Sequence, residues 1–228
     1  MDMLHEVARW SHIAIGTLAF ASLWTAGFSR KGSPVHRRAG RIYVITMGFV
    51  LATAAVLTGH AFVNGQWMGG IFLVYLLVIT GTALWMGRRA LRFKGNAAGY
   101  ASGAMPLIGV LNILAAGGAV AVGIMADQMF IAGISAIGFL IGFGALTMWR
   151  KPPDHPRFWL KEHIGGMIGA GIATHVAFAS IGLRQLFPEA ETHVLTIWPW
   201  AAPLIIGFAA SAYFENRYVK RGAALPVV

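Results

Sequence analysis

Three histidines lie within long apolar runs of this chain: His12, His60 and His175. A neutral imidazole offers a nitrogen donor to haem iron, copper or zinc. The chain has eight histidines, ten methionines and no cysteine, so disulfides, thiolate metal sites, iron–sulfur clusters and thioether-linked haem are excluded. Two such histidines would suffice for a b-type haem. Three could hold zinc, copper or iron with one position left open for water. A second group, His36, His163 and Glu162, lies in or beside basic segments, with His155 nearby. Each group also has a plain structural role available: a hydrogen bond to a neighbouring helix for the first, lipid-headgroup contact for the second. Asn112, in the fourth apolar run, reads as a polar contact between helices.

The elements that must position these side chains follow from composition. Hydrophobic residues make up 57% of the 228 positions and charged residues 11%, against about 45–50% and about 25% in soluble domains. A soluble fold could not bury that much apolar surface. The 29 glycines fall inside apolar runs, where they allow close approach of helix backbones in lipid. A spanning helix needs about 20 mainly apolar residues. Seven stretches qualify: 10–28, 42–63, 68–87, 98–125, 129–149, 164–187 and 195–215. The expected fold is therefore all-α, one domain over 1–228, a bundle of seven transmembrane helices. Ser33-Pro34, in the 29–41 loop, suits the start of a short helix, with serine as cap and proline in the first turn. Asn64-Gly65-Gln66 reads as a turn, and Pro152, Pro153 and Pro156 interrupt the 150–163 loop. Gly165, Gly169 and Ala173 recur every four residues, as a packing seam would.

Direction follows from lysine and arginine. Sixteen of the 18 fall on one set of connections, from Arg30 to Arg41, Arg88 to Lys94, Arg150 to Lys161 and Arg217 to Arg221, leaving Arg9 and Arg184 on the other. Short-loop basic residues mark the cytoplasmic side, so the N-terminus is expected outside and the C-terminus in the cytoplasm. The net charge of +10 is thus topological, and nucleic acid is not an expected partner. Ala19-Phe20-Ala21 resembles a signal-peptidase site, but Asp2 and Glu6 precede the first run and its basic cluster follows it, which predicts an uncleaved first helix. Trp10, Trp67, Trp149 and Trp198 stand near expected span ends, as an interfacial belt does.

Depth follows from a rise of 1.5 Å per residue. His60 comes 19 residues after Arg41, roughly 28 Å from the inner surface, and His175 comes 14 after Lys161, about 21 Å from it. With His12 they form an outer trio. His163 and His175 stand about 120° apart around one helix, which disfavours one helix ligating two stacked haems. No Asp, Glu, Lys or Arg lies deep in a span. That removes a carboxylate proton pump, a retinal-binding lysine and the general base a zinc hydrolase would need.

His12, followed by Lys31-Gly32-Ser33-Pro34-Val35-His36-Arg37-Arg38-Ala39-Gly40-Arg41-Ile42-Tyr43, resembles a family of uncharacterised bacterial multi-pass membrane proteins. That family carries a first-helix histidine before a Lys-Gly-x-x-x-His-Arg-x-x-Gly-Arg-x-Tyr segment. Trp159, His163, Met167 and Ala173 resemble its penultimate helix. The resemblance implies a bacterial cytoplasmic-membrane protein of about seven helices, with no established activity, and singles out His12, His36 and His163.

The expectation is a histidine-ligated haem b or metal-binding membrane redox protein, with His12, His60 and His175 as ligands. The alternatives are a transporter or small-molecule binder using glycine-rich helix interfaces, or an accessory subunit of a larger membrane complex. Lipid is the expected surrounding, with other membrane subunits or further copies of the chain as partners. Whether the protein is an enzyme stays open at this level.

Overall fold

The computed structural model describes residues 2–182 and 192–220. Among these, all regular structure is helical: α1 Asp2–Phe28, α2 Pro34–Val63, α3 Trp67–Arg92, α4 Ala97–Ala101, α5 Met105–Met125, α6 Met129–Ile134, α7 Ala136–Arg150, α8 Phe158–Ala177 and α9 Thr192–Phe214. Single π-helical segments, Phe178–Gly182 and Glu215–Lys220, extend α8 and α9. Among the described residues, four stretches are long and apolar enough to cross a membrane: Pro34–Val63, Trp67–Arg92, Met105–Met125 and Met129–Arg150. Arg184, Pro188, Glu189, Glu191 and Arg221 lie outside the described residues.

The packing is that of a protein whose solvent is hydrocarbon. Many fully buried positions are alanine (Ala19, Ala90, Ala116, Ala119, Ala145, Ala170), beside a few large side chains such as Tyr75, Tyr100 and Met105, while Leu114, Leu140, Phe143 and Ile206 are exposed. In water this surface would be an aggregation liability; in lipid, small residues inside and large apolar ones outside give close helix contacts. Trp10, Trp67, Trp149 and Trp198 are all exposed.

Contacts divide the chain into two compact units, Met1–Gly81 with Gly109–Phe143, and Thr82–Ile108 with Gly144–Val228. The first unit is built on the α1–α2 hairpin. Ser33 caps α2 by accepting from the His36 amide at 3.2 Å, with Pro34 in the first turn. Lys31 Nζ donates to the carbonyls of Gly27 and Ala26, and His36 Nδ1 donates to Ala26 O at 3.0 Å. Basic donors thereby satisfy carbonyls that the end of α1 leaves open, and Gly32 supplies the positive φ of 79° that the turn requires. The Lys-Gly-Ser-Pro-x-His segment thus has a local structural explanation: it ends one helix and starts the next.

The antiparallel pairing then has a fixed register. His12 faces Thr53 and His5 faces His60, so each step of seven along α1 is matched by seven back along α2. The same register sets Ala19 opposite Thr46 and Ala26 opposite Ala39, and all four are buried. A seven-residue repeat keeps one seam facing its partner, as in left-handed coiled coils.

Elsewhere in this unit Tyr75 packs with Ala116 and Ala119, and Gly138 lies so close that a Cβ there would be 2.8 Å from the Tyr75 ring. The expected continuous span 129–149 is broken at Ser135, which separates α6 from α7. Tyr75 Oη donates to Ile134 O at 2.9 Å, and Ser135 Oγ to Ile131 O at 2.7 Å. A break at membrane depth persists only where such donors satisfy the freed carbonyls. The expected start at 98 is likewise a separate turn, α4, set off from α5 by Gly103 at a φ of 66°.

In the second unit α3 and α8 cross glycine on glycine. A Cβ on Gly166 would fall 2.6 Å from Ala83 O and from Gly87 Cα. The seam therefore runs through Gly166, Gly169 and Ala170, whereas Gly165 is exposed and faces open space. Of the expected seam at 165, 169 and 173, Gly169 is in contact while Gly166 takes the place of Gly165, because a four-residue repeat fixes a spacing but not a rotation about the axis.

Candidate functional site

The histidines share a feature that residue type alone does not reveal. Thr53 has one hydroxyl proton, engaged by the carbonyls of Phe49 and Val50 at 3.0 and 2.9 Å. Its oxygen therefore accepts from His12 Nδ1, at 3.0 Å. His36 Nδ1 meets Ala26 O at 3.0 Å, His163 Nδ1 meets Gly87 O at 3.0 Å, and His175 Nδ1 meets Gly171 O at 2.7 Å. A carbonyl only accepts, so in each neutral ring the proton sits on Nδ1 and the lone pair on Nε2. Metal-ligating histidines are oriented in this way, with the non-ligating nitrogen donating to a carbonyl or another oxygen. His155 is the contrast: its Nδ1 accepts from the Arg157 amide at 3.1 Å.

His12 and His36 belong to the first unit, His163 and His175 to the second. His60 is in the first unit too, but its ring stacks on His5 with centroids 4.1 Å apart and an interplanar angle of 24°. It is therefore two helical turns along the seam from the level of His12, about 10 Å. Among the described residues no three His, Asp or Glu side chains gather as metal ligands would.

A second polar cluster belongs to unit two. Tyr100 donates its hydroxyl to Glu162 Oε2 at 3.3 Å. Its ring packs on Phe158 with centroids 5.6 Å apart, within a core of Met86, Ala90, Met105 and Ala145. Arg89 holds the α4 turn by donating to Tyr100 O, Gly99 O and Ser102 O at 2.9, 2.6 and 3.2 Å, while its guanidinium lies 4.9 and 4.3 Å from the ring centroids of Trp85 and Phe93. Burial raises the Glu162 carboxyl above its ordinary range, Lys161 and the Tyr100 hydrogen bond pull it down, and Glu215 pushes it up. Burial also raises the Tyr100 phenol, with Glu162 adding to the effect, so Tyr100 stays a donor. Lys161 pairs with Glu215 at 3.9 Å, Arg157 donates to Tyr218 O at 3.0 Å, and Lys94 stands 4.6 Å from the Trp159 ring centroid. Several residues counted as topological charge thus have structural partners as well.

Glu162 and His163, neighbours in sequence, keep separate partners: Tyr100 for one, Gly87 for the other. Sequence reasoning missed His5, Thr53 and Tyr100. For the first two a signal existed: His5 and His12 are seven apart, as are Thr53 and His60, a match that becomes meaningful once the hairpin register is known. Tyr100 had no such signal, since its partner lies 62 positions away. Comparison with protein-family models, curated proteins and solved structures returns no match.

Proposed function

We propose that this is a seven-span membrane redox protein, N-terminus outside, that binds haem b through histidine. The observation that carries the proposal is the shared state of His12, His36, His163 and His175, each held through Nδ1 with its lone pair on Nε2. An imidazole kept in one tautomer and orientation loses less freedom on ligation. Three of these four are the residues that the resemblance to the uncharacterised bacterial family singles out. Haem takes one or two axial protein ligands, whereas a zinc centre needs three or four protein donors. The absence of any three-ligand group among the described residues favours haem over zinc. Bound haem would supply one-electron chemistry; the chain supplies oriented nitrogens, apolar surroundings and no competing thiolate.

The test is a visible spectrum with metal analysis on one purified sample. The expected result is a Soret band that weakens in His12→Ala. Protein that carries neither haem nor metal after expression with ample haem supply overturns the proposal.

A further inference from the structure

One face of α2 is cationic in its first turns and apolar beyond them. At 100° per residue, Arg41 and Arg38 stand about 40° and about 100° round the helix from Arg37. Ile45, Gly48, Phe49 and Ala52 follow within about the same 120° arc, and all of these residues are exposed. The buried Ala39, Tyr43 and Thr46 lie on the opposite side, at about 180–240°. The stripe therefore points away from α1.

The charge on this stripe is unanswered. The guanidinium groups of Arg37, Arg38 and Arg41 make no hydrogen bond, ion pair or ring contact among the described residues, whereas Arg89, Lys94, Arg157 and Lys161 all have partners. The hairpin register sets Glu6 level with Gly59. That level is 18 residues along α2 from Arg41, about 27 Å, and charges are screened over about 10 Å at about 0.1 M salt. The same register sets Trp24, exposed and stacked on Phe28 at 5.0 Å, level with Arg41. Tryptophan at a helix end belongs at the membrane interface.

We propose that this stripe binds an anionic phospholipid: the arginines take the headgroup phosphate, and the acyl chains lie along Ile45, Phe49 and Val56. The proposal rests on α2 crossing a membrane, for which it is long and apolar enough. Guanidinium is always charged, and its planar fork matches phosphate oxygens bidentately. A Cβ on Gly48 would meet nothing within 4 Å, so the outward face is notched there. The notch lies seven residues beyond Arg41, about 10 Å, a depth that the upper methylenes of a chain reach when its phosphate sits on the arginines. A free phosphate would use the cationic half of the stripe alone; a lipid uses both halves.

The experiment reconstitutes the purified full-length chain in phosphatidylcholine bilayers. Electron paramagnetic resonance then measures how much chain-labelled phosphatidylglycerol, against equally labelled phosphatidylcholine, is immobilised on the protein. Phosphatidylglycerol should be preferred. The Arg37→Gln/Arg38→Gln/Arg41→Gln variant should lose most of that preference, each arginine contributing up to about fivefold. Removing as much charge from the exposed Arg88, Arg150 and Lys151, by glutamine at each, should leave the preference intact. Gly48→Leu should fill the notch and lower the preference without altering any charge. Equal preference in wild type and the triple arginine variant overturns the site, as does an equal fall in both charge-removed variants. Displacement of the labelled lipid by millimolar inorganic phosphate would assign the arginines to free phosphate and overturn it too. The Soret band of the triple arginine variant should match wild type, which separates failure here from failure of the haem proposal.

Discussion

Exchanging glycine for alanine at two adjacent positions of α8 tests the helix crossing that sets His163. At Gly166 a Cβ would sit 2.6 Å from Ala83 O, Gly87 Cα and Gly87 N, where ordinary contact begins at 3.4 Å. All three atoms are backbone, so no side chain can turn away. The helices must separate by about 0.8 Å, an overpacking that costs about 1–3 kcal/mol. Alanine returns up to ~1 kcal/mol of helix propensity. With the full offset, Gly166→Ala should therefore lose up to about 2 kcal/mol. Gly165→Ala meets nothing within 4 Å and should be neutral or gain up to ~1 kcal/mol. In detergent the first should lower the melting midpoint by a few degrees and the second should not, at about 2–4 °C per kcal/mol for a chain this long. The same separation would lengthen the His163 Nδ1 to Gly87 O bond from 3.0 Å to about 3.8 Å, beyond hydrogen-bond range. The ¹⁵N resonance of that imidazole should shift in Gly166→Ala alone. Equal midpoints for the two variants, with an unmoved His163 resonance, would refute the crossing.

Three further outcomes are expected. Glu162 titrates above its ordinary value because of burial, so its protonated form favours the fold; that contribution is full below 4.5 and lost as pH rises through the raised value. Glu162→Gln should therefore gain stability over wild type as pH increases, and a gap that shrinks in pH-dependent melts would contradict the burial. Thr53→Val removes the acceptor for His12 Nδ1 and should weaken haem retention about 10–100-fold with helix content unchanged by circular dichroism. Tyr75→Phe leaves Ile134 O without its donor at the α6–α7 break and should cost about 1 kcal/mol; increased hydrogen exchange confined to residues near Ser135 would locate the effect.

The sequence determined what depends on local composition and short spacing. Low charge and long apolar runs made the chain helical and membrane-compatible, since lipid requires backbone groups to be satisfied within a segment. Ser33 and Pro34 marked a helix start, which the structure runs unbroken into the expected 42–63 span, and Asn64-Gly65 marked its end, because caps and turns use the chemistry of adjacent residues. His12, His60 and His175 stood out by type and position, and His36 and His163 by the family resemblance, before any partner was known. Only the tertiary structure decided which atoms those residues meet. The hairpin register put His5 against His60 and Thr53 against His12. One residue is 100° around a helix, so rotation alone selected Gly166 over Gly165 for the crossing. The α6–α7 break and the Glu162–Tyr100 contact join residues 59 and 62 positions apart, and no local pattern encodes such pairs. The chemistry lies at these long-range meetings: the sequence supplies imidazoles and a carboxyl group, and packing decides which nitrogen keeps its lone pair and which carboxyl burial pushes up.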